Sequence, residues 1–282
     1  MLTNPTFLYL ATIFPPILLG IIIWKSDKFP EPGKFLVTAF MLGVAIDLPL
    51  ILLIFISENQ IAPLLGLDLQ ALDVWEKGGW KEEGAIFPAG ELAFMNFFRA
   101  AFLEEGIKFA LLIFICVRLE ALNEPIDAIV YGAAIGLGYA AMENYGYLAS
   151  PNLENAWTID MVKARYYPLL MHLGFGVVMG WLLSLNLFDE TSRFKRRFML
   201  IISLAIPVIY HGAYNYYSAV DIFPLLTVIL IISIIYWARR EQLKKITEAE
   251  DKNVPTTSDI IYTYGLSLLL VGLVVTSAIL YS

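Results

Sequence analysis

Charge is what this sequence has least of: Asp, Glu, Lys and Arg make up 16% of its 282 residues, against 59% hydrophobic residues. With a mean hydropathy of +0.69, that balance excludes an ordinary soluble domain and leaves an integral membrane protein. Cysteine is scarcer still. Cys116 stands alone, which excludes an intrachain disulfide and a thiolate metal cluster, and it reads as a small apolar filler. No basic tract interleaved with aromatics is present, so nucleic acid is excluded as a partner. The stretch from Met1 to Thr6 lacks the basic start of a cleavable signal peptide, and the first apolar run is expected to persist as a span.

Several catalytic signatures are missing too. None of Ser184, Ser203, Ser218, Ser267 and Ser277 sits in a Gly-x-Ser-x-Gly setting beside a base, which argues against a serine hydrolase. Asp47 is the only aspartate well inside a span, so a paired-aspartate mechanism fails. No His-Glu-x-x-His helix is present to announce a zinc protease. No internal repeat appears, and no pair of broken helices occupies matching positions in two halves, as many secondary transporters would show.

What is present is a series of apolar runs long enough to cross roughly 30 Å of hydrocarbon. They fall near 7–24, 35–57, 92–118, 126–149, 166–188, 198–218, 222–238 and 260–281. The fold class predicted is all-α: one polytopic membrane bundle of about eight transmembrane helices, with residues 1–282 forming a single membrane domain in the cell membrane. Lys and Arg gather in alternate connections, at Lys25, Lys28 and Lys34, at Arg118, at Arg193, Lys195, Arg196 and Arg197, and from Arg239 to Lys252. The positive-inside rule then places both the N- and C-termini outside. The longest connection, 58–91, mixes an apolar stretch with acidic residues, Trp75 and Trp80, and reads as an outer loop with an interfacial helix. The stretch from Arg239 to Asp259 reads as a solvated cytoplasmic connector.

Charge inside these runs is costly, on the order of 2.5 to 3.5 kcal/mol at the bilayer centre, which makes each such residue a functional candidate. The third run carries Arg99, Glu104, Glu105 and Lys108. At ~100° per residue, Glu104 and Lys108 come within ion-pair reach while Glu105 points away from Glu104, so one carboxylate is neutralised and the other is left free. In the fourth run Gly132 and Gly136 make a small-residue packing face, and Tyr139 and Glu143 share another face one turn apart. His172 lies near the start of the fifth run, ahead of Gly174, Gly176 and Gly180, and His211 lies in the sixth with Asn215 one turn on. Counted from the outer helix ends, Glu104 and Glu105 lie roughly 18 to 20 Å deep and Glu143, His172 and His211 roughly 9 to 10 Å. Tilt and uncertain ends have to absorb that difference. Singly, each residue has a bland reading as a helix linker or ion-paired seam.

The order Glu104-Glu105-x-x-Lys108, Tyr139-x-x-x-Glu143, His172, His211-x-x-x-Asn215 resembles that of the PrsW-type intramembrane proteases, distant relatives of the CAAX prenyl proteases and the bacteriocin-processing membrane proteases. The resemblance covers about 92–218, which would be the catalytic core. Two positions depart from it: Tyr139 stands where that family usually has phenylalanine, and Asn215 where it often has aspartate. The resemblance implies an intramembrane endopeptidase that clips a single-span membrane protein, such as an anti-sigma factor, near its outer boundary. Glu104, Glu105, Glu143, His172, His211 and Asn215 are then the catalytic candidates, with Lys108, Tyr139 and Arg99 in support. In one version Glu104 or Glu105 is the general base and the histidines polarise the carbonyl or protonate the leaving amine. In the other, Glu143, His172 and His211 bind Zn2+ and Glu105 is the base. A proton- or ion-coupled transporter or channel using the same charges is the competing class, and an inactive scaffold is a third.

Overall fold

A computed structural model describes residues 5–76, 87–118, 122–148, 164–188, 192–217 and 222–250. Among them the secondary structure is helical throughout, in agreement with the all-α expectation. The helices are α1 (Pro5–Ser26), α2 (Gly33–Val44), α3 (Asp47–Ile56), α4 (Leu69–Glu76), α5 (Leu103–Arg118, preceded without a break by Ala89–Ala93 and a π-helical segment, Phe94–Phe102), α6 (Pro125–Leu148), α7 (Tyr166–Phe188), α8 (Arg193–Tyr216) and α9 (Ile222–Glu250). Among the described residues, five stretches are long and apolar enough to cross a membrane: Gly33–Leu64, Pro125–Tyr147, Tyr166–Phe188, Arg193–Tyr216 and Ile222–Leu243. The apolar part of α1, Ile13–Ser26, is shorter. The run at 260–281 lies outside the described residues.

Two boundaries differ from the sequence reading. α3 continues through a π-helical turn, Ser57–Ile61, to Leu64, because Ser57 and Asn59 turn their side chains back onto the carbonyls of Ile54 and Phe55. The polar residues that suggested a loop thus extend the helix. The connection after it is helical again at α4, while Trp80 lies outside the described residues. At the far end of the chain α9 runs on to Glu250 where a solvated connector was expected. Arg239 and Gln242 are buried there, and Gln242 donates to Asp27 Oδ1 at 2.7 Å.

α6 and α7 form the centre. Both are rich in glycine and alanine, and glycine lets the two backbones touch. A Cβ at Gly132 would run into the carbonyl of Gly176, one at Gly136 into that of His172, and one at Gly180 into that of Ala128. This antiparallel seam fixes the height of His172 on α7 relative to α6. α1 and α9 cover one flank of the pair through Leu19, Ile23, Ile231 and Ile234. α2 and α5 cover the other through Ala39, Leu112, Ile135 and Tyr139. α8 packs on α7 and on the π-helical segment, where Gly212 leaves room for the Phe97 ring.

Candidate active site

The π-helical segment delivers Glu104 and Glu105 to the first turn of α5. Its i→i+5 bonding packs more residues into each turn, so the chain descends less per residue than an α-helix. That shortens the depth counted from sequence and lets the glutamates meet the histidines. One ligand atom each from Glu104, Glu105, His172 and His211 lies within 4.8 Å of the others.

Lys108 organises the floor of this cluster. Its side chain is 2% exposed, and its ammonium lies 2.7 Å from Glu105 Oε1, 3.0 Å from His172 Nδ1 and 3.9 Å from Glu104 Oε2. It also sits over the Tyr139 ring at 4.0 Å. The lysine thus holds its i+3 partner, Glu105, more closely than the i+4 partner, Glu104. An ammonium has only donors, so His172 Nδ1 accepts, and the ring proton resides on Nε2, which faces Glu143 Oε2 at 3.3 Å. His211 is bound the other way round: Nδ1–H donates to Glu105 Oε1 at 2.9 Å, leaving the Nε2 lone pair 4.0 Å from Glu104 Oε2. The rings are packed edge-on, Tyr139 against His172 at 4.9 Å and His172 against His211 at 5.3 Å, while Phe175 stacks on His211 at 5.1 Å.

Above this floor lies a cavity of about 400 Å³ lined by Glu104, Glu143, His172, His211 and Asn215. Arg99, Asn96 and Arg165 also line it. Two buried carboxylate oxygens, Glu104 Oε2 and Glu105 Oε2, have no hydrogen-bond partner in the protein. Buried acceptors of that kind are costly unless something fills the gap. Together with the His211 Nε2 lone pair they make a donor set suited to a divalent cation such as zinc. The trio expected to bind metal was Glu143, His172 and His211; the group that converges instead contains both Glu104 and Glu105. Glu143 is turned aside because Arg165 holds its Oε2 at 2.5 Å.

Every sequence-predicted residue lies in or beside the cavity. Asn215 lines the wall one turn beyond His211, Tyr139 forms the base under Lys108, and Arg99 reaches the rim, where its Nε donates to Glu58 Oε1 at 2.8 Å. Arg165, Asn144 and Glu58 were missed. Arg165 and Glu58 read as loop charges, yet Arg165 sits in the turn that leads directly into α7, seven residues before His172.

The chain matches the family model described as "PrsW family intramembrane metalloprotease" over residues 31–238. It is 28% identical to "Protease PrsW" of Clostridioides difficile (strain 630) over 82% of this chain and 87% of that protein. It is likewise 28% identical to "Protease PrsW" of Bacillus subtilis (strain 168), over 73% of this chain and 80% of that protein. No solved structure matches it. A buried glutamate–histidine cluster opening on a cavity in an apolar bundle, and a family match that spans every helix contributing to it, decide between hydrolase and transporter: the chain belongs to the PrsW family of intramembrane metalloproteases.

Proposed function

We propose that the protein is an endopeptidase of the cell membrane that hydrolyses one peptide bond of a single-span, membrane-anchored regulator, of the anti-sigma-factor kind, near the outer membrane boundary. The convergence of Glu104, Glu105, His172 and His211 within 4.8 Å at the wall of the cavity carries this reading. Glu104 is the general base. Its Oε2 is unpartnered, whereas Glu105 is committed to Lys108 and His211 through one oxygen.

Glu104 takes a proton from the attacking water as the oxygen bonds to the scissile carbonyl carbon. The oxyanion that forms is stabilised by donors on the cavity wall, Asn215 first among them. Glu104 then returns the proton to the leaving nitrogen as the carbon–nitrogen bond breaks, giving a new carboxylate and a new amine. Glu105 orients His211, and Lys108 balances the charge of Glu105. A bound zinc would supply Lewis acidity and lower the pKa of its water to about 7, and the unpartnered Glu105 Oε2 and the His211 Nε2 lone pair would hold it.

The test is cleavage of a single-span reporter in vesicles. Glu104→Gln, with unchanged melting behaviour, and His211→Ala each lower kcat by about 10² to 10⁴-fold, and the wild-type protein carries about one zinc per chain, lost in the His211→Ala variant. Full cleavage by Glu104→Gln, or by His211→Ala, would sink the proposal. The eight-span arrangement with both termini outside stands on the distribution of Lys and Arg, and the single domain with its core at 92–218 stands on the lack of an internal repeat and on the order of the site motifs. In a Cys116→Ser background, a thiol at Gln70→Cys in the 58–91 connection is labelled by an impermeant reagent from outside; labelling only from the cytoplasmic side overturns it.

A further inference from the structure

The α6–α7 seam has a register, and the register continues past the glycines. From the Gly136–His172 contact, seven residues onward along α6 and seven backward before α7 bring Glu143 opposite Arg165, whose guanidinium Nη2 lies 2.5 Å from Glu143 Oε2. Arg165 is the turn residue immediately before α7, and it and His172 hold the same carboxylate from two sides. His172 Nε2 lies 3.3 Å from that oxygen.

The seat of Arg165 is complete. Its Nε donates to Asn144 Oδ1 at 2.8 Å, its plane lies over the Tyr147 ring at 4.0 Å, and its side chain is 13% exposed. Three residues on the last turns of α6 therefore receive one guanidinium through its edge and its face, a geometry lysine cannot reproduce. An ordinary rim salt bridge contributes little and needs no such receptor. Here the partner carboxylate faces Nε2 of a histidine whose other nitrogen accepts from Lys108. A carboxylate on the far nitrogen of a histidine fixes its tautomer and ring orientation. Without Arg165, Glu143 would be a partly buried carboxylate facing a single histidine, free to swing toward Lys108.

We infer that Arg165 is a positioning residue of the protease: it clamps Glu143 so that Glu143 keeps the proton of His172 on Nε2 and presents Nδ1 to the Glu105–Lys108 floor. Arg165 touches no reacting atom and acts through Glu143. The inference rests on the proposed function for its catalytic consequence, while its structural content is testable without a substrate.

The chain has two histidines, so ring-¹⁵N-labelled protein, purified in detergent, gives two resolvable imidazole sets, assigned with His211→Gln. In the wild type His172 is in the Nε2–H form. Arg165→Gln and Arg165→Lys both move the His172 signals toward a tautomer mixture and leave those of His211 in place. Glu143→Gln, which keeps the arginine, produces the same change, and adding Arg165→Gln to it produces none further. Unchanged His172 signals in Arg165→Gln overturn the inference, as does a change in Arg165→Gln that Glu143→Gln fails to reproduce. With the single-span reporter, Arg165→Gln lowers kcat by about 10- to 100-fold at nearly constant KM. A rise in KM alone would make Arg165 a substrate contact instead. If Glu104→Gln cleaves normally the proposed function fails; if Glu104→Gln is dead and Arg165→Gln is normal, only this inference fails.

Discussion

α6 carries a buried polar cluster at each end, and the two are built on opposite principles. At the end near Asp127 every acid is answered. Asp127 Oδ2 accepts the backbone N–H groups of Asn123 and Glu124 at 2.9 and 2.8 Å, Asn123 Nδ2 donates to Glu31 Oε1, and Gln242 donates to both Asp27 and Glu124. At the end near Glu143, two carboxylate oxygens, Glu104 Oε2 and Glu105 Oε2, are buried with nothing to accept from, and Glu104 lines a cavity. Burial of charge is common to both ends, so burial does not mark the site. Unsatisfied acceptors beside open volume do. The saturated cluster ties two connections, the one after α1 and the one before α6, to the second half of α9.

The comparison is most sharply broken at Lys108. Lys108→Met leaves Glu105 buried with His211 as its remaining close donor, and removing one partner of a buried pair costs about 3 to 5 kcal/mol. The expected outcome is a large fall in thermal stability in detergent together with loss of cleavage. A variant that melts like the wild type would mean the cavity end tolerates an unbalanced carboxylate, and the contrast would collapse.

A smaller effect is expected at the saturated end. Burial raises the Asp27 carboxyl above its ordinary value of 3.8, against the opposing pull of its bonds from Gln242 and Phe29. The native state therefore holds this proton more tightly than the unfolded chain. Its contribution to stability is largest at low pH and is lost as pH rises from about 3.8 through the raised native value. Asn keeps an acceptor for both bonds but cannot ionise, so Asp27→Asn flattens that slope and shifts the melting temperature at neutral pH upward by about 1 to 2 °C. An unchanged pH profile would show that Asp27 does not titrate in this range.

The parts of the site that were legible in the sequence are those where charge meets hydrocarbon. Glu104, Glu105, Lys108, His172 and His211 are conspicuous because an apolar slab penalises them, and their order carried the family resemblance. Arg165 was invisible for the complementary reason: a cation in a connection is ordinary, and only the α6–α7 register reveals that it meets Glu143. The Lys108–Glu105 contact was misjudged because the angular argument placed Lys108 nearest Glu104, whereas both i−3 and i−4 carboxylates are within reach and His211 and Lys108 together hold Glu105. The extension of α3 to Leu64 was hidden by Ser57, Glu58, Asn59 and Gln60, a polar run that resembles a loop in isolation. The polar end of α9 looked solvated because its partners, Asp27 and Glu124, lie in distant connections.

The glycine seam divides the site mechanically. Where backbone lies on backbone there is no side chain to rotate, so α6 and α7 behave as one plate, and Tyr139, Glu143, Arg165 and His172 travel with it as a fixed template. α5 and α8 are joined to that plate through side chains and to each other where Phe97 fills the space over Gly212. Whatever widening admits an extended peptide therefore falls to them. Glu104, Glu105, Lys108 and His211 form the movable jaw, and the Lys108–His172 contact is the place where jaw and template close.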